Sequence, residues 1–187
     1  MKQGLPASFR LRSAWLLPLG LLVLLQLSSS LLSAANEEIK PPFGFQWGES
    51  AERLEKMLVQ AKARIVERQQ TPDGLRLRVD GIAQRLLLTA YFSFANDSLK
   101  EIELHYGAPD WDTAQYTRFF DQTRRHIDQR YGAGKLIARN KSSVQGVTHT
   151  LMGYQWTQTG ASLQMFLFTA EKGAEVVRTM SLHYRGD

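Results

Sequence analysis

Apolar residues in this chain form one unbroken run near the start, then two alternating periodicities down the rest of its length. The run covers Ala14 to Leu25, with Leu16, Leu17, Leu19, Leu21, Leu22, Val23, Leu24 and Leu25, and is closed by Gln26 and Ser28-Ser29-Ser30. Further on, Ser50 suits a helix N-cap, Glu52 the first turn, and Leu54, Leu58 and Ala61 recur at i, i+4 and i+7. That spacing predicts a helix with one apolar stripe. The period then drops to two. Residues 63–68 lead into the turn Thr71-Pro72-Asp73-Gly74, after which Leu75, Leu77 and Val79 alternate with Arg76, Arg78 and Asp80. Leu86, Leu88, Ala90, Phe92 and Phe94 alternate with Leu87, Thr89, Tyr91 and Ser93, and Asn96-Asp97-Ser98 turns the chain into residues 100–106. Strict alternation of this kind marks strands that are half buried.

The same order then returns. Asp112 with Gln115 three residues later forms a capping box, and Tyr116, Phe119, Phe120, Thr123, Ile127 and Tyr131 give a broad apolar stripe that Gly132 and Gly134 close. Strands are expected over 135–141, 146–157, 161–170 and 175–184. Both halves end alike, in Leu104-His105-Tyr106 and Leu182-His183-Tyr184. Element order and this shared ending predict an α+β fold with an internal duplication, in which one helix packs on a four-stranded antiparallel sheet in each half. The expected organisation is a signal segment at 1–35, a lead-in at 36–48 that proline keeps from being helical, a first unit at 49–107 and a second at 108–187.

The apolar run changes the reading of charge and compartment. Lys2, Arg10 and Arg12 precede it without any acid, and Ser33-Ala34-Ala35 follows it with small residues where a signal peptidase cuts. This is the three-part pattern of a cleaved export signal, with a mature start near Asn36. An uncleaved anchor is the alternative, since Ala14 to Leu32 just spans a bilayer, and it would be the chain's one membrane contact. Of the 23 Lys and Arg, those three lie in the segment, so 20 face 18 Asp and Glu beyond it and the net charge falls from +5 to near +2. That is too little for a nucleic-acid surface. There is no cysteine, which excludes a lipid anchor on an N-terminal thiol, a thiolate nucleophile and any disulfide. Small exported eukaryotic domains tend to be disulfide-rich, so the composition points to a bacterial envelope, periplasmic or secreted.

Tandem helix-plus-four-strand units, entered through Gly44-Phe45-Gln46-Trp47-Gly48-Glu49-Ser50, resemble the secreted β-lactamase inhibitor protein type and, more distantly, small outer-membrane assembly lipoproteins. The chain departs from the first in lacking disulfides and from the second in lacking a lipidated cysteine. The resemblance implies a non-enzymatic module that binds another protein of the envelope.

Candidate chemistry is sparse. The sequence carries no Gly-rich phosphate loop, nucleophile elbow or His-Glu-x-x-His helix, and no cofactor is expected. His105 and His183 point away from the helix-covered face by strand alternation, and would share a surface if the last strands of the halves lie together. They are then candidate metal ligands, although two ligands fall short of the three or more a metal needs. The alternative is ordinary solvent-side residues. Glu101/Glu103 reads as a solubility pair, and Asp121 to Arg125 as an ion pair along a solvated helix face. The second sheet is anomalous, because both of its faces carry large apolar groups. Tyr154 and Trp156 sit on one face, and Phe166 and Phe168 alternate with Leu163, Met165 and Leu167. Either the other half of the duplication covers the second face, or Tyr154, Trp156, Phe166 and Phe168 belong to a partner-binding surface. A small-molecule or lipid-binding module, or an unrecognised hydrolase, with its site between the two sheets, is the alternative function.

Overall fold

The helix boundaries follow from local chemistry. In the computed structural model, which describes residues 37–187, Ser50 Oγ accepts the Arg53 N–H and starts α1, Ala51–Gln60. Asp112 and Gln115 close a reciprocal capping box at the head of α2, Thr113–Tyr131, with bonds of 2.8 and 2.9 Å. Lys62 ends α1 with a positive φ of 58°, while the Ala63 N–H returns to the Leu58 carbonyl at 3.0 Å. Gly132, at φ 85°, ends α2.

Eight strands complete the chain. They are β1 (Arg64–Thr71), β2 (Gly74–Asp80), β3 (Leu87–Ala95), β4 (Ser98–Tyr106), β5 (Lys135–Val144), β6 (Val147–Gln158), β7 (Ala161–Lys172) and β8 (Glu175–Gly186). Every boundary lies within three residues of the one expected from alternation and turn chemistry. The β3–β4 turn shows why: Asn96 and Asp97 both take positive φ, 51° and 56°, the conformation that two-residue hairpin loops demand and that Asn and Asp tolerate. The signal segment expected at 1–35 and the mature start near Asn36 lie outside the described residues. Among the described residues no helix is long and apolar enough to cross a membrane.

Strand pairing corrects the expected fold class. The chain does not form a duplicated four-stranded sheet with its own helix. All eight strands join one antiparallel sheet in the order β1-β2-β3-β4-β8-β7-β6-β5. The halves meet edge to edge, with Leu104 opposite Leu182, Ile102 opposite Tyr184 and Tyr106 opposite Met180. Two separate sheets would each leave an apolar last strand with unpaired N–H and C=O groups along its edge, and β4–β8 pairing removes both edges at once. The Leu-His-Tyr endings that looked like a repeat are cross-strand neighbours.

Both helices cover the same face. Val79, Ala90, Leu104, Leu182, Met165 and Tyr154 form one cross-strand row on that face. Leu54 and Leu58 of α1 and Phe120 and Ile127 of α2 close over it into a single apolar core. The lead-in is packed too: Ile39 is fully buried, its N–H donates to Gln158 Oε1 at 2.7 Å, and Phe45 meets the Phe92 ring edge-on at 5.4 Å. Trp156 ties α2 to the sheet. It is 3% exposed, and its indole N–H is shared between Asp128 Oδ1 (3.1 Å) and the Gly132 carbonyl (2.9 Å). Asp128 also pairs with Arg124 at 3.6 Å, so the ion pair along this helix is Arg124–Asp128 rather than the expected Asp121 to Arg125.

Trp156→Ala is expected to cost about 3–5 kcal/mol in urea unfolding, because it opens a core cavity and removes the indole bonds to Asp128 and Gly132. Phe166→Ala, on the opposite face, is expected to cost about 1 kcal/mol or less. Equal costs would contradict this assignment of faces.

Candidate functional site

Among the described residues, no element covers the sheet face opposite the helices, and alternation fills its centre with polar and aromatic groups. Tyr91 of β3, Glu103 of β4, His183 of β8 and Gln164 of β7 form one cross-strand row, and His105, Ser181 and Phe166 form the next. The rings meet. Tyr91 and His105 lie edge to face at 5.3 Å, His105 and His183 are 6.1 Å apart, and His183 meets Phe166 edge to face at 5.4 Å. Phe166 lies over Gly153, where a Cβ would stand 2.6 Å from the ring, so glycine on β6 makes room for it. Four rings from four central strands thus meet edge to face or tilted in a line, about 14 Å wide at normal strand spacing.

Charges lock one end of the line. The Arg76 guanidinium sits 4.5 Å over the Tyr91 ring and donates to Glu103 Oε1 at 2.8 Å. Glu103 Oε2 lies 3.3 Å from His105 Nε2. Arg185 donates to Glu101 Oε1 at 3.1 Å, and Ser181 Oγ lies 2.9 Å from His183 Nε2. Burial works to raise the Glu103 pKa. The hydrogen bond to His105 and the Arg76 charge outweigh it and hold the carboxyl below its ordinary value. Burial pushes the His183 imidazole down; the Glu103 charge opposes this and His105 adds to it.

The residues singled out from the sequence divide between the faces. Tyr154 and Trp156 lie on the helix side, with Tyr154 5.0 Å beneath the Arg124 guanidinium and 6.1 Å from the Phe120 ring. Phe166 and Phe168 lie on the open side, and Phe168 stacks on His149 at 5.9 Å. The second face therefore keeps its aromatics without the intramolecular cover expected from the other half, which joins at the sheet edge. His105 and His183 are brought together, as pairing of the last strands requires. Tyr91 and Arg76 were seen only as members of alternating runs. Their place beside Glu103 depends on strand register, which side-chain pattern does not set.

A second feature lies on the helix side. The lead-in, α2 and the sheet floor of Leu104, Met180 and Leu182 enclose a cleft of about 650 Å³. Burial pushes the Tyr106 hydroxyl, which donates to Gln84 Oε1, up to about 12, and raises Tyr184 likewise. Arg130 closes one side, with its Nε 2.8 Å from Glu37 Oε2. The expected site between two sheets does not exist, since there is one sheet; this cleft lies between helix and sheet.

No family model matches the chain, and no curated protein or solved structure is similar enough to count as a match.

The His183 shift fixes a pH dependence. A folded imidazole below its ordinary 6.5 takes up its proton after the unfolded one, so stability falls as pH drops below 6.5 and through the folded pKa. Glu103, held below 4.5, adds a further loss at lower pH, where its favoured carboxylate form must be protonated. In chelator-containing buffer, the melting temperature is expected to fall between about pH 7 and about pH 5. His183→Gln should flatten that interval and leave the acidic fall in place. Identical pH profiles for the two proteins would contradict the shift.

Proposed function

We propose that this chain is an exported, non-enzymatic binding module of the bacterial envelope, and that it holds a partner protein on the uncovered face of its sheet. The observation that carries this reading is the Tyr91-His105-His183-Phe166 row, set on central strands with no element over it. Aromatic side chains with few rotatable bonds, fixed by neighbours and flanked by an arginine, are the groups that dominate protein interfaces. Phe168 and Leu151 extend the row with apolar area, while Arg76, Arg78 and Arg185 give it a polar margin. An anchor core inside a polar rim is the usual anatomy of such a surface. The export part of the reading rests on the pattern of residues 1–35, and the topological resemblance to envelope inhibitors and assembly lipoproteins belongs to the same proposal.

The cleft favours a second reading, a small apolar ligand with an anionic end. The floor of Leu104, Met180 and Leu182 would take the apolar body, and Arg130 with the tyrosine hydroxyls the head.

In-cell crosslinking of the tagged full-length protein, followed by mass spectrometry, separates the two. The wild type is expected to capture one envelope protein reproducibly. Capture should drop by about tenfold or more in the Tyr91→Ala/Phe166→Ala double variant, since anchor truncations cost about 2 kcal/mol or more. Val59→Ala, exposed on α1, should leave capture unchanged. Undiminished capture by the double variant would overturn the open-face reading. No specific capture, with an apolar acid released from the purified protein on denaturation, would put the cleft in its place.

A further inference from the structure

We propose that Glu101, Glu103 and His183 together bind a divalent transition metal ion, zinc first, at the centre of the open sheet face. The histidine pair alone lacked ligands. Pairing of β4 with β8 supplies them: Glu101, Glu103 and His183 each offer a donor atom, and these atoms lie within 4.8 Å of one another. His105 Nε2 lies 3.3 Å from Glu103 Oε2, and the two imidazoles are 6.1 Å apart between centroids. One imidazole nitrogen and two carboxylate oxygens, with water in the fourth position, form a set that suits zinc, which binds such atoms at about 2.0–2.2 Å.

The scaffold suits a metal because all three residues sit on β4 and β8, the central strands, with a hydrogen-bonded neighbour on each side. Their backbones are already in register, so closing on one ion is a matter of side-chain rotation. The carboxylates are also oriented from outside. Arg76 holds one oxygen of Glu103 and Arg185 one oxygen of Glu101, leaving the other oxygen of each unclaimed by a guanidinium. Ser181 Oγ, 2.9 Å from His183 Nε2, is a further polar neighbour that can donate to or accept from the ring. Outer hydrogen bonds of this kind fix the ligands of metal sites. His126 and His149 belong elsewhere, His126 on the helix-side cleft and His149 against Phe168. The site stands whether or not a protein docks on this face.

The test uses protein expressed from the full-length chain, purified with a tag free of histidine and stripped with chelator. Zn²⁺ is titrated calorimetrically, and Co²⁺ is titrated by visible absorption, where d–d bands report its coordination. One saturable ion per chain is expected, with a higher melting temperature and intense cobalt bands. His183→Gln should weaken zinc binding by about 100-fold or more, beyond the 10–100-fold typical of losing an outer partner. Glu103→Gln should alter the cobalt bands, and His126→Gln/His149→Gln should change nothing. Melting curves of each variant in chelator establish that it is folded. If His183→Gln does not fold, Glu103→Gln takes its place. No saturable binding, or equal binding in the wild type and a folded ligand variant, would overturn the site.

Discussion

The pairing of β4 with β8 is the constraint on which the rest of the structure depends. Without it, each half would be a four-stranded meander whose last strand presents a bare edge and a row of apolar side chains. Joining the edges satisfies both backbones and sets Leu104 against Leu182. It also makes the core one body, because Leu104, Met180 and Leu182 join the same buried cluster as Leu54 and Leu58 of α1 and Phe120 and Ile127 of α2. The free edges move outward to β1 and β5, where Arg64, Glu67, Arg68, Lys135, Arg139 and Lys141 keep the ends of the sheet charged. Charge at an edge is a common protection against further strand addition.

The same pairing produces the candidate site. With both helices on one face, the inward half of each strand's alternation is spent on the core, and the outward half collects on a face that nothing in residues 37–187 covers. Glu101, Glu103 and His105 come from one side of the seam, Ser181, His183 and Arg185 from the other. The His105–His183 contact and the Arg185–Glu101 pair cross the seam and would not exist if the halves were separate. Fold and site therefore have one cause, and a mutation that opened the seam would disperse the site as well as the core.

Local chemistry was legible in the sequence, and pairing was not. Ser50, Asp112 with Gln115 and Asn96-Asp97 each carry their own structural consequence in their side chains. They marked helix starts and a hairpin that the structure reproduces. Alternation correctly placed His105 and His183 opposite Leu104 and Leu182. The groups that join β4 to β8 are backbone amides, which every residue has, so the identity of a strand's partner leaves no mark on composition. For the same reason the likeness of residues 102–106 and 180–184 gave no sign that the two strands pair. Trp156 was ambiguous because aromatics occupy both faces of the second half. The deciding clue was its indole N–H, which needs a buried acceptor. That acceptor is Asp128, a residue that from the sequence looked like part of a solvated helix face.

Native-state hydrogen exchange followed by mass spectrometry tests the seam most directly. If one sheet runs through β4 and β8, amides of residues 101–106 and 180–185 should be among the slowest to exchange, opening together with the inner strands β3 and β7 in the global unfolding event. The outer strands β1 and β5 should exchange first. Seam amides that exchange as fast as those outer strands, or halves that open in two separate steps, would contradict the single sheet and the site built on it.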